Sequence, residues 1–124
     1  MNSADLNRSI RDKFRWSLEL DPRYYMIARC IAFLYYYKDE ESSNWLGYSV
    51  QEIMAVANEY SINCLCNENV TSYKNLLDEM VDMGILSQPE SNLYRMRRST
   101  FINIIGSDLD AVDADITLNN KENM

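Results

Sequence analysis

Between Val70 and Val81, apolar side chains recur at Tyr73, Leu76, Leu77, Met80 and Val81. That i, i+3, i+4, i+7, i+8 spacing lines one face of a 3.6-residue period and predicts an amphipathic helix. Gly84 follows the last periodic residue, where a left-handed C-terminal cap belongs. A short apolar pair, Ile85-Leu86, leads into a polar turn over Ser87–Asn92. From Leu93 to Arg97 the pattern changes to alternation, with Tyr94 and Met96 on one face and Leu93, Arg95 and Arg97 on the other. This stretch predicts helix, glycine, strand, turn and strand, with Ile85–Ser87 pairing with Tyr94–Met96.

Two further helices precede it. Asp21-Pro22 is a helix start: the carboxylate accepts free backbone N–H groups, and proline at the first helical position forgoes only a hydrogen bond it could not make. The predicted helix runs from Asp21 to about Tyr37. Ile27, Cys30, Ile31 and Leu34 form its inward stripe, and Met26, Phe33 and Tyr37 widen the apolar surface over most of the circumference. Ser49-Val50-Gln51-Glu52 reads as a capping box, and Tyr48 and Ile53 occupy the staple positions around it. The helix that it opens extends to about Tyr60, with Val50, Ile53, Met54, Ala57 and Tyr60 inward. In the link from Ser61 to Asn69, Ile62 or Leu65 turns into the core. In the earlier charged loop from Lys38 to Gly47, Trp45-Leu46 folds back onto it.

The two ends are less regular. Leu6, Ile10, Phe14 and Leu18 form an i+4 ladder over Asp5–Leu18, with Arg8, Arg11, Lys13, Arg15 and Trp16 off it. A helix fits residues 5–14; residues 14–18 fit either helix or extended chain. Ser99 caps a short helix over Thr100–Ile105 that ends at Gly106, with Phe101, Ile104 and Ile105 inward. The organisation expected is one domain over 1–106 and an acidic tail over 107–124. In the tail, Leu109, Val112 and Ile116 fit a short docking helix as well as a solvated tail, and Asn119–Met124 is expected to be disordered.

Composition narrows the function. The chain has 124 residues, of which 47% are hydrophobic, enough for one small core. It has no histidine, the commonest general base and a frequent zinc ligand. Neither a phosphate-binding glycine loop nor a recognisable nucleophile motif occurs. Cys30, Cys64 and Cys66 are an odd set that reads as free thiols. The expectation is a protein with no catalytic residues, no cofactor and no metal. The start of the chain lacks a signal-like apolar core and the longest apolar run contains Arg29, so a cytoplasmic protein without membrane contact is expected.

Charge is divided unevenly. Residues 1–38 hold seven basic and four acidic side chains, whereas residues 39–124 hold five and fifteen, giving +3 and −10 within the total of −7. The two parts either meet different surroundings or attract each other.

The helix-glycine-strand-turn-strand order is that of a winged helix-turn-helix: a mainly α fold, here with a short two-stranded wing and an extra N-terminal helix. Leu20-Asp21-Pro22-Arg23-Tyr24, Gly47–Ile53, Leu76–Leu86 and Tyr94–Ser99 together resemble the C-terminal winged helix of bacterial P-loop ATPases. The resemblance spans roughly residues 10–106. The motifs of the ATPase core itself are absent, so no nucleotide site carries over. What it implies is an accessory or assembly module of a bacterial multi-protein system, with a P-loop ATPase among the candidate partners.

Two functions then compete. As a protein-interaction module, the chain would use the spare side of the Asp21–Tyr37 helix, with Tyr24, Tyr25, Phe33, Tyr36 and Tyr37 as anchors, toward a partner protein or as a homodimer. As a DNA-binding protein, it would use a wing bearing Arg95, Arg97 and Arg98. DNA ranks second, because Asp78, Glu79 and Asp82 make the helix before the wing acidic, where phosphate contact needs cations.

Overall fold

A computed structural model describes residues 3–41 and 45–122, with side chains described for 8–41 and 45–120. The Leu6 side chain and Ser42–Asn44 in the charged loop lie outside that range. The chain is mainly helical, with one small antiparallel sheet. Helices α1 (Ser3–Glu19), α2 (Pro22–Leu34), α3 (Val50–Glu59) and α4 (Val70–Asp82) precede strands β1 (Leu86–Glu90) and β2 (Leu93–Met96). Helices α5 (Ser99–Ile105) and α6 (Leu109–Glu122) follow.

Helix α2 is the hub, touching every other helix and β2. Asp21 caps it as expected, in an extended conformation, accepting from the Arg23 N–H at 2.8 Å. Met26 through Ala32 are all buried, so the helix is enclosed on every side by its own chain. This corrects one expectation: the wide apolar surface of α2 over Met26–Ala32 is not spare. The cover comes from α6, whose Val112 and Ile116 join the same core as Ile27 and Ile31. Burying two such side chains favours docking by roughly 1.5–3 kcal/mol each. The tail is therefore helical to Glu122, and the disorder expected from Asn119 onward is not found over 119–122. Asn123 and Met124 lie outside the described residues.

Beyond Leu34 the backbone passes into one π-helical turn, Tyr35–Asp39. The extra residue in an i→i+5 turn shifts the register of the face. Three consecutive tyrosines consequently meet three environments: Tyr35 packs edge-on against Trp45, Tyr36 is buried, and Tyr37 is 67% exposed.

Both halves of the Ser49/Glu52 capping box form at the start of α3. Val56, absent from the expected stripe, is buried, while Met54 and Tyr60 are half-buried. Ile62 and Leu65 both turn inward. Trp45 packs on the core, but Leu46 points to solvent.

Helix α4 ends as its glycine predicts. Gly84 adopts φ 80°, its N–H reaching the Val81 carbonyl and that of Ile85 reaching Met80. This paired 5→2 and 6→1 closure satisfies the last carbonyls and turns the chain into β1. The hairpin pairs Leu86 with Met96 and Ser87 with Arg95, then becomes irregular before Glu90 meets Leu93. The polar stretch expected as turn is thus mostly strand, and Ser91-Asn92 alone makes the tip, with Asn92 at φ 68°. Pro89 is tolerated because β1 is an edge strand at an irregular register. Tyr94 and Met96 face the core, as alternation predicts.

One more backbone contact matters. Tyr48 exchanges both backbone hydrogen bonds with Tyr94, at 2.7 and 2.8 Å, tying the α2–α3 connection to β2. Gly47 permits the approach: its φ is 113°, and a Cβ there would lie 2.6 Å from the Tyr94 carbonyl oxygen. In α5, Ile102 is buried rather than Ile104, which is half-buried. Of the apolar residues expected on the inner face of α4, Val81 alone is half-buried rather than buried.

Candidate interaction surface

The cations divide by use. Arg23 is held by Asp21 at 2.7 Å and Glu68 at 3.0 Å. Arg29 is 5% exposed, donates to Asp115 on α6 at 2.8 Å, and lies 3.7 Å from the centre of the Tyr25 ring. Lys38 pairs with Glu52, and Lys74 with Asp78. By contrast, Arg8, Arg11, Lys13, Arg15, Arg95, Arg97 and Arg98 form no ion pair among the described residues. Arg95 is committed in another way, donating to the Trp45 carbonyl at 3.0 Å beside the indole ring.

Five of the others share one place. Helix α1 lies on α5, where Phe14 stacks on Phe101 with ring centres 4.1 Å apart. Around this contact run three adjoining depressions. The first, between α1 and the α4–β1 corner, is lined by Ile10, Lys13, Phe14, Met83, Arg97 and Arg98, among others. It shares Ile10, Arg98 and Phe101 with the second, which adds Arg11, Thr100 and Ile104. The third shares Arg11, Thr100 and Ile104 and adds Arg15 and Asn103. The result is one groove with an apolar floor, five cations and no carboxylate among its lining residues.

Local structure explains the convergence. The i+4 ladder of Ile10, Phe14 and Leu18 turns inward, leaving Arg11, Lys13 and Arg15 on the flanks of α1. Arg97 and Arg98 leave β2 at the root of the hairpin, and Arg97 is fixed there by its N–H bond to the Ile85 carbonyl at 3.0 Å. On the outer side of α1, Trp16 and Leu20 are 66% and 73% exposed.

Asp12 shares α1 with these cations, and most of the other acidic side chains lie elsewhere. Glu79 and Asp82 are exposed on α4. The Tyr24 hydroxyl donates to Glu79 at 2.6 Å, and this bond pushes the phenol up to about 12. The Tyr94 hydroxyl donates to Asp78 at 2.7 Å, and that of Tyr60 donates to Asp113 on α6.

The four tyrosines and one phenylalanine expected as anchors do not make one surface. Tyr24 and Tyr25 are half-buried and engaged with Glu79 and Arg29. Phe33 is half-buried between Tyr37 and Tyr60. Tyr36 is 8% exposed and donates to the Gly106 carbonyl at 2.7 Å, so it bridges the π turn to the α5–α6 corner instead of facing a partner. Only Tyr37 is open. Arg97 and Arg98 are exposed as the alternative requires, whereas Arg95 is half-buried. The α1 half of the groove was missed in the sequence; its signal was the set of four cations off the Ile10–Leu18 ladder.

Comparison with protein-family models finds none that matches this chain, and comparisons with curated proteins and with solved structures find no match either.

Nothing in the thiols suggests a reactive centre. Burial pushes Cys30 up to about 12 and also raises Cys64. Among the described residues, no group of three or more metal-ligating side chains comes together. Among the described residues, likewise, no helix is long and apolar enough to cross a membrane.

Proposed function

We propose that the chain is a winged-helix module that works by binding another protein, as an accessory or assembly subunit of a bacterial multi-protein system, and not by catalysis. The Tyr48–Tyr94 bridge supports the winged-helix reading, since it sets a third short extended segment, from between the first two helices of the motif, beside the hairpin. A P-loop ATPase is one partner class, on the resemblance of the sequence.

The observation that carries the functional reading is the separation of charge from the motif that would read DNA. In a winged helix, the helix before the hairpin enters the major groove. Here that helix, α4, exposes Glu79 and Asp82, which oppose phosphate. The unpaired cations instead flank an apolar floor, a combination suited to a protein surface. A second reading, DNA binding through the hairpin, is favoured by the exposure of Arg97 and Arg98, but Arg95 is turned to Trp45.

The test has two arms. The chain is purified from its native host with whatever co-purifies, and the free protein is titrated with duplex DNA at an ionic strength of about 0.15 M. A stoichiometric protein partner and no duplex binding are expected. Tight duplex binding, lost on replacing Arg97 and Arg98, would establish the second reading instead. Tyr37→Ala is the clean test of the α2 end, because Tyr36→Ala would also remove an interior hydrogen bond.

A further inference from the structure

We propose that the groove between α1, α5 and the hairpin root seats an acidic, amphipathic helix of the partner protein. This rests on the protein-binding reading and names its site and the chemistry of its occupant. Among the described residues, the four cations that form ion pairs lie outside the groove, and the five within it form none, although Asp12 sits between Arg11 and Lys13 on α1. In a chain of net charge −7, five cations gathered where no carboxylate lines the groove form a local field opposite in sign to the whole. Such a field selects an anionic partner and steers its approach.

The floor decides which anion. Ile10, Met83 and Ile104, half-buried around the closed Phe14–Phe101 stack, offer side-chain surface that a phosphate backbone cannot use. An amphipathic helix can: its apolar face enters such a groove at i, i+3, i+4 and i+7, while carboxylates at its edges reach the rim. Lys13 and Arg97 border one end of the groove, Arg11 and Arg15 the other, and Arg98 the middle. Cations therefore line each part of the groove and can face carboxylates at the edges of a docked helix.

The experiment uses the full chain and four labelled probes. These are helical peptides with Asp and Glu on one face and Leu and Phe at varied spacing on the other, the same peptides with Lys replacing the acids, polyglutamate, and duplex DNA. Binding is read by fluorescence anisotropy and mapped by backbone amide shifts. The acidic amphipathic peptides are expected to bind, with shifts confined to Ile10–Ser17, Met83–Ile85 and Arg97–Ile104. The double reversal K13E/R98E should weaken binding about tenfold or more, since like charges then face each other. Circular dichroism of that variant checks that the helices persist, and wild-type mapping stands independently of it. Polyglutamate should bind more weakly, for want of apolar contact.

Three results would overturn the proposal: no binding by any acidic amphipathic peptide, shifts centred on α4 or α6, or duplex DNA binding more tightly than every peptide. If a native partner is captured but its contact maps to α4, the protein-binding reading stands and the groove assignment falls.

Discussion

Helices α1 and α2 both mix large apolar side chains with arginine, and the fold treats them oppositely. In α2 almost every side chain from Met26 to Leu34 is buried, and Arg29 is enclosed with its own counter-ion and ring. In α1 only Phe14 and Leu18 among the described side chains are buried, while Trp16 and its cations face outward, as does Leu20 just past its end. Arg29 serves stability, because a buried guanidinium must be paired. Among the described residues the α1 cations form no ion pair, so their arrangement is free to serve something outside the chain.

Substitution should sharpen that contrast. The largest effect is expected for Ile31→Ala, fully buried in α2, at about 2–5 kcal/mol in urea melts. Trp16→Ala on α1 should stay within about 0.5 kcal/mol. If the two were comparable, the division between scaffold helix and surface helix would fail.

Next comes Asp115→Ala, which strands Arg29 at the α2–α6 contact. Removing one partner of a buried pair costs about 3–5 kcal/mol. The Asp115 side chain is 32% exposed, so water softens the loss to about 2 kcal/mol. Hydrogen exchange should show α6 opening first; unchanged protection of α6 would remove the pair from the account.

A smaller effect belongs to the α2 cap. Hydrogen bonds from the Arg23 side chain hold the Asp21 carboxyl below its usual 3.8. Since the folded pKa lies below the unfolded one, this contribution is complete above the unfolded value and is lost as pH falls through the folded value. Asp21→Asn keeps a capping side chain but loses the charge. Wild type should exceed it by about 1 kcal/mol at neutral pH, with the gap closing in acid. A gap that widened in acid would contradict the assignment.

Much of the scaffold was legible beforehand. Pro22 with Asp21, the Ser49/Glu52 box and Gly84 each carry a local chemical signal, and each sits where that signal puts it. The role of α6 was not legible, because Val112 and Ile116 in an acidic segment look alike whether docked or solvated. Its acids turned out to be used: Asp115 pairs with Arg29 and Asp113 accepts from Tyr60. That hidden cover made α2 look exposed and drew attention to Tyr36, which the π turn then buried. The groove was half legible. Arg97 and Arg98 stood out on the hairpin, but their company depends on α1 crossing α5, a long-range contact that no local pattern encodes.

The most direct measurement of the binding account is a contact map in the native host. A photo-reactive residue replaces Ser17, on the groove, in one variant and Asn75, exposed on α4, in another. Cross-linking one protein from the Ser17 position and not from Asn75, with loss of the product when Lys13 and Arg98 are reversed to Glu, is the predicted result. Cross-linking to DNA from either position, or to protein from Asn75 alone, would contradict it.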